Sequence, residues 1–178
     1  MITVCAQICL SKFKTANLSF FATFDQVRHG EGDYTYADKG TEEEPVQYKG
    51  SWENNQKSGI GKQTYKNVGE YYGYWKEGCR HGEGVMTYVN KDVYSGNWAN
   101  GNKDGQGTYI FFQTKEKYVG TFKNGQLITG KWLYPNGTYF EGNFGHNQPK
   151  GQGKWHFANG NVVEGCYSQT KRGDVDDD

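Results

Sequence analysis

The sequence predicts an all-β fold: an elongated, single-layer, solenoid-like strip of about six stacked β-hairpins. Three observations predict it. An aromatic–x–Gly–x–aromatic motif recurs along the chain, and a Gly–x–Gly element precedes most of its copies. The second glycine of that element returns with a period of 23, at positions 61, 84, 107, 130 and 153. Asn-Gly turn signals lie between the apolar runs, as expected for hairpins.

The composition agrees with a core built from rings. The chain has ten Phe, fourteen Tyr and five Trp residues, but only four Leu. Aromatic side chains bury large areas and pack edge to face, so they can supply the core of a thin sheet. The formal net charge is zero, and no global field therefore favours nucleic acid or an anionic membrane.

In chain order, residues 1–19 form an atypical N-terminal segment, ordered or disordered, and residues 20–167 form the repeat array. Phe20–Phe24 has the spacing of the aromatic motif, but Ala22 takes the glycine position. We interpret it as a degenerate half-repeat that begins the array, since terminal repeats usually diverge. The first full unit carries six extra residues in an acidic hairpin loop around 38–45. Residues 168–178 form a charged, acidic C-terminal tail.

The clearest unit defines the hairpin. Its first strand is predicted at 84–88, its turn at 90–92 and its second strand at 93–98. Later units place their turns at 135–137 and 158–160. The fourth unit gains one residue around 113–117 and loses one before Gly130, which restores the period. We expect each Gly–x–Gly pair to lie where one unit hands over to the next.

The repeated aromatic motif predicts a row of rings on one face of the sheet. Alternate strand residues share a face, so Tyr94, Gly96 and Trp98 point the same way. We expect Gly96 to leave a hole that a cross-strand ring fills. The candidate is Tyr88, with equivalents at 65, 111, 134 and 157. A single layer cannot cover itself completely, so we predict that part of the ring row is core and the rest forms a partner-binding groove. The ring row consists of Tyr48, Trp52, Tyr71, Trp75, Tyr94, Trp98, Tyr118, Phe122, Phe140 and Phe144.

No motif indicates catalysis. The sequence lacks a nucleophile elbow, a Ser-His-Asp order and metal-ligand spacing, and the Gly–x–Gly pairs are followed by no βαβ unit. The four cysteines have no C-x-x-C pairing and suit a reduced intracellular chain. We therefore expect a non-enzyme without metal or cofactor.

The units resemble the MORN (membrane occupation and recognition nexus) repeat. The stretch from Tyr71 to Gly84 matches its pattern Tyr-x-Gly-x-Trp-x-x-Gly-x-x-x-Gly-x-Gly at every marked position. The chain is most similar to the radial spoke head type of MORN protein found in motile cilia. That likeness is carried by residues 117–122 before an altered glycine unit, by Asn147–Gly153, and by the Arg-Gly-acidic segment 172–178.

This resemblance implies a non-catalytic scaffold of the ciliary or flagellar axoneme, serving cell motility. The chain would be cytoplasmic and cytoskeletal and would dock other radial spoke head proteins through its aromatic groove. A homodimer is compatible with this role, nucleic acid is not expected, and a membrane is disfavoured.

Three alternatives stay open at this stage. A lipid-binding MORN module would need a basic stripe, whereas Lys and Arg are matched by acids along the sequence. A cell-surface carbohydrate- or choline-binding repeat holds cations over rings, but it would require a secretory start. An accessory segment of an enzyme would need a catalytic domain beside it.

Overall fold

A computed structural model describes residues 27–36 and 45–168. Over these residues the chain forms one antiparallel sheet of twelve strands, in sequence order and without helices. The predicted all-β strip of stacked hairpins is confirmed. The N-terminal segment 1–19, the half-repeat at 20–24, most of the acidic loop around 38–45 and the tail from 169 onward lie outside the described residues.

Each strand pairs with its neighbours in the chain. The strands are β1 (Gly30–Thr35), β2 (Pro45–Glu53), β3 (Gln56–Tyr65), β4 (Gly69–Lys76), β5 (Cys79–Tyr88), β6 (Val93–Ala99), β7 (Asn102–Ile110), β8 (Lys117–Lys123), β9 (Gln126–Leu133), β10 (Tyr139–Gly145), β11 (Gln148–His156) and β12 (Val162–Tyr167).

Two kinds of turn alternate along the sheet. The turns predicted at 90–92, 135–137 and 158–160 are confirmed. The second kind, which was not predicted, is a two-residue turn such as Asn100-Gly101 between β6 and β7. Both of its residues have positive φ, 49° and 82°. That conformation matches the right-handed twist of the strands and favours Asn-Gly.

The Gly–x–Gly element lies inside a strand rather than between units. Gly82 and Gly84 both belong to β5, where they pair with Trp98 and Gly96 of β6. The predicted hand-over position was therefore wrong. The reason is that the two-residue turns allow each strand to continue for several residues before its first glycine.

One glycine from every described strand joins a continuous line that crosses the sheet, which we call the glycine line. Neighbouring members are directly paired across each strand boundary. Its members, from β1 to β12, are Gly32, Gly50, Gly61, Gly73, Gly84, Gly96, Gly107, Gly120, Gly130, Gly142, Gly153 and Gly165.

The glycine line lets the strands approach closely on the ring face. A Cβ added at Gly73 would lie 2.5 Å from the Cα of Gly84, far inside van der Waals contact. A Cβ added at Gly84 would instead meet the ring of Tyr71, at 2.6 Å from its Cζ. Tyr71 is completely buried. A ring from one unit thus lies over the glycine of the following strand.

The predicted filling of the hole at Gly96 was wrong. A Cβ at Gly96 would meet the backbone of Gly107 and the hydroxyl of Tyr94, which belongs to the same strand. The predicted filler, Tyr88, instead packs on Tyr109 with centroids 5.8 Å apart. Strand alternation places Tyr94 and Gly96 on one face, but it does not reveal that the ring leans along its own strand.

We predict that Gly84→Ala destabilises the sheet by about 1–3 kcal/mol, because the new methyl group overpacks the buried Tyr71 ring. The thermal midpoint should fall by roughly 2–4 °C per kcal/mol for a chain of this size. Circular dichroism during heating measures it.

Gly165→Ala is the matched control for this substitution. Gly165 belongs to the same glycine line, but its nearest neighbour, Tyr167, lies 3.8 Å from the added Cβ. Its midpoint should stay near that of the unmodified chain. Equal midpoints for the two variants would contradict the close packing at Gly84.

Candidate functional site

The ring row predicted from sequence is brought together on one face, but most of it is core. Nine of its ten side chains are buried, at 0–6% exposure, and Tyr118 is half-buried. Tyr71 contacts Trp75 of its own strand and Trp98 of the next unit edge to face, both with centroids 5.2 Å apart. The main role of the ring row is therefore to join neighbouring units. Its contact with a partner protein stays a prediction.

Hydrogen bonds fix the ring positions. The hydroxyls of Tyr71 and Tyr94 donate to backbone oxygens of their own strands, at 2.9 Å. The indole N–H of Trp75 donates to the Gly61 carbonyl at 3.0 Å, and that of Trp98 to Gly84 at 3.2 Å. Burial raises the pKa of both Tyr71 and Tyr94 well above the usual phenol value. Tyr71 and Tyr94 therefore stay neutral and act as hydrogen-bond donors. Their role is structural and does not involve acid–base chemistry.

Four basic side chains lie against the rings: Arg28, Lys57, Arg80 and Lys103. We call them the cation row. Each stacks on aromatic rings, for example Lys57 Nζ at 4.1 Å from the Trp75 centroid and Arg80 Cζ at 4.6 Å from Trp98. Distances of this size are typical of cation–π contacts. Sequence reasoning missed this row, although its signal was present: a basic residue precedes four of the Gly–x–Gly elements by two positions.

The cation row ends in the middle of the sheet. Phe122 faces Leu127 across the next two-residue turn, and Phe144 faces Pro149 across the one after it. Leu127 is completely buried. The ring face is thus cationic from β1 to β7 and apolar beyond.

Charge is segregated between the two faces of the described strands. On the ring face, the charged strand residues are Lys57, Arg80 and Lys103, whereas strand alternation places the acids on the opposite face, among lysines. Ion pairs such as Lys62–Glu70 at 2.8 Å and Lys154–Glu164 at 3.0 Å neutralise that face. Among the strand residues, acids thus match the bases along the sequence but not on the ring face. From the loops, the Asp92 carboxylate does reach the ring face, at the Tyr109 hydroxyl. The strand acids are Glu31, Asp33, Glu53, Glu70, Glu83, Asp104, Glu141 and Glu164.

The face opposite the rings carries a groove of about 670 Å³ across β3–β8, which we call the opposite-face groove. Its apolar wall includes Tyr72 and Tyr74, which are 57% and 48% exposed, together with Ile60, Val85 and Val119. Its polar wall consists mainly of uncharged side chains, Ser95, Asn97, Gln106 and Thr108, with Glu83 as its one carboxylate. Exposed tyrosines beside uncharged amides are suited to protein contact.

The MORN repeat family model matches six segments of the chain, which together cover more than half of it: residues 27–41, 48–67, 71–93, 94–112, 118–127 and 140–162. The chain belongs to the MORN-repeat family. MORN arrays are a non-enzymatic fold type, and their repeats indicate a protein-interaction or membrane-binding module. A comparison with the curated proteins finds no match for this chain.

Within the described residues, no helix is long and apolar enough to cross a bilayer. In the same part of the chain, no cluster of three or more His, Cys, Asp or Glu side chains could hold a metal ion.

Asp92 joins two successive loops at one edge of the MORN array. Its carboxylate, only 8% exposed, accepts hydrogen bonds from the Tyr109 hydroxyl at 2.9 Å, the Phe112 N–H at 2.7 Å and the Asn90 amide at 2.8 Å. Burial alone would raise the pKa of Asp92, but these hydrogen bonds outweigh it and lower that pKa below the usual value. The ionised carboxylate is therefore favoured in the folded state.

We predict that Asp92→Asn lowers the stability at neutral pH by about 1.5–3 kcal/mol, the usual range for hydrogen bonds to a charged group. Because the folded-state pKa is depressed, this contribution is present above the unfolded pKa of about 4 and disappears as pH falls through the folded value. Thermal midpoints measured from neutral pH to about pH 3 should therefore converge for the variant and the unmodified chain.

Asp33→Asn serves as the control for Asp92. Asp33 forms an exposed ion pair with Lys49 at 3.6 Å. Exposed ion pairs contribute little to stability. The thermal midpoint of the Asp33→Asn variant should therefore change by an amount that corresponds to less than about 1 kcal/mol at any pH. A pH-independent loss at Asp92 would show that its charge does not stabilise the loops.

Proposed function

We propose that this MORN array is a non-catalytic structural scaffold that docks other proteins. The opposite-face groove carries this proposal. An exposed apolar patch on an otherwise ion-paired surface usually marks a partner site. Two half-exposed tyrosines side by side, Tyr72 and Tyr74, are the residue type that dominates binding energy at protein interfaces.

The finer proposal is a component of the radial spoke head in the axoneme of motile cilia or flagella, with other spoke head proteins as partners. It is supported by the three segments that resemble the radial spoke head type. Two of them meet in the fold: the Tyr118 hydroxyl donates to the Asn147 carbonyl at 2.9 Å, and the Asn147 side chain accepts from the Leu127 N–H at 2.9 Å. The altered glycine unit between them is thus fastened to the next hairpin.

Truncating a residue of the predicted aromatic groove would not be a clean test of partner binding. Trp98 is only 4% exposed, so truncating it removes core packing before it removes a partner contact. The exposed tyrosines of the opposite-face groove can be changed without opening the core. They therefore separate loss of binding from loss of fold.

We predict that a Tyr72→Ser, Tyr74→Ser double variant loses partner binding at least about tenfold while its β-sheet spectrum is unchanged, because hot-spot tyrosines cost more than a tenfold change when truncated. The tagged full chain is incubated with a salt extract of isolated motile axonemes. Captured proteins are quantified by mass spectrometry.

The matched control is Val162→Ser, which removes an equally exposed apolar side chain on the same face but outside the groove. Recovery of spoke head proteins by the unmodified chain and by this control, with loss by the double variant, is the expected result. Failure to recover spoke head proteins, or equal recovery by all three, would contradict the proposal. Sedimentation with vesicles containing phosphatidylserine tests the membrane-binding alternative in parallel.

A further inference from the structure

We propose that the ring face binds an acidic α-helical segment of another protein, through the accessible charges of the cation row. This surface lies on the other side of the sheet from the opposite-face groove. The inference therefore goes beyond the proposed function, and either can fail without the other.

The first reason is that two cations of this row lack an anionic partner. Among the described residues, neither Arg80 nor Lys103 has a carboxylate within 4 Å. Arg80 donates to the Gly101 carbonyl at 2.7 Å, and Lys103 Nζ lies 4.8 Å from the Tyr109 centroid. Carbonyl and ring contacts leave both positive charges without a counter-ion.

The second reason is the cost of these charges. Both side chains are half-buried, and burial, with a smaller contribution from Arg80, lowers the pKa of Lys103. A partly desolvated charge without an opposite charge is unfavourable. The fold does not require one here, because Leu127 fills the equivalent position of the next unit and is completely buried. Packing therefore does not explain why this position carries a positive charge. An anionic ligand would supply the missing counter-ion and so explain it.

The third reason is the spacing, which selects a helix. Equivalent cations are separated by two strands, about 10 Å at the usual strand spacing. A helix rises about 10.5 Å over seven residues and returns to nearly the same face, so glutamates at every seventh position would match the row. An extended strand covers about 10 Å in three residues, but residues three apart lie on opposite sides. The helix would lie across the strands, along the row.

A membrane surface fits this row less well. Proteins that lie on bilayers insert exposed aromatic side chains beside their basic residues. Here the tryptophans next to the cations, Trp75 and Trp98, are 4% exposed and cannot leave the core. A single file of recessed charges is better matched by a narrow rod than by a plane.

The test uses the full chain and a fluorescent, alanine-based helical peptide with glutamate at every seventh position. The comparison peptide has the same composition, with its glutamates clustered. Fluorescence anisotropy at low salt should show saturable binding of the spaced peptide and weaker binding of the clustered one. Affinity should fall with added salt, because screening weakens exposed charge pairs.

Lys103→Leu tests the row with the residue that the chain itself uses at the equivalent position. We expect about fivefold weaker binding of the spaced peptide, the loss of one partly exposed ion pair. Lys131→Leu is the charge-matched control on the opposite face, where Lys131 pairs with Glu141 at 3.4 Å. It should bind like the unmodified chain, and thermal melting confirms that both variants fold.

Three outcomes would overturn the proposal. One is equal binding of the two peptides, or equal loss with both variants, since spacing and face would then not matter. Another is phosphatidylserine vesicle binding that Lys103→Leu abolishes while the peptides do not bind, which assigns the row to lipid. The third is a dimer in size-exclusion chromatography that Lys103→Leu dissociates, which assigns it to a second copy.

Discussion

The structure depends on one contact: a buried tyrosine or phenylalanine ring lying over a glycine of the following strand. Tyr48, Tyr71, Tyr94 and Phe140 all make it, over Gly61, Gly84, Gly107 and Gly153. The contact requires that both paired strands lack a Cβ at that point, which explains the glycine pairs at these four places. Because the ring and its glycine come from adjacent strands, and the ring also packs on the next unit, no hairpin can bury its own ring alone. Stability is therefore shared between neighbours, as in other repeat arrays.

Concentrating the rings on one face determines the chemistry of both faces. The ring face is filled by side chains that need no solvent, and the few charges placed there must stack on aromatic surfaces, as Arg80 does on Trp98. The other face has no layer to cover it. Its lysines and acids form ion pairs along the sheet, while Tyr72 and Tyr74 of β4 stay exposed. A single sheet can thus offer two unlike surfaces back to back.

The sequence was sufficient for the architecture because each hairpin repeats the same local signals. The period, the strand number and the wider turns followed from glycine spacing and from Asn-Gly pairs. The packing was harder to predict. Alternation places Tyr94 and Gly96 on one face, but whether the ring leans along its strand or receives a partner depends on rotamers that spacing does not fix. The cation row was visible as a repeated basic residue, yet a net charge of zero concealed it, because its balancing acids lie on the other face.

The fourth unit shows how small changes in one repeat divide the array. For all four members of the cation row, the second residue of a following tight turn donates its N–H to the carbonyl of the cation, as Gly125 does to Lys103 at 3.0 Å. At the next equivalent position the cation is replaced by Leu127, whose N–H donates to the Asn147 side chain, as the Arg28 N–H does to Asn55. Leu127 faces Phe122 across the tight turn and is completely buried. The change from charge to apolar contact thus marks a boundary on the ring face, while the glycine line continues through it without interruption.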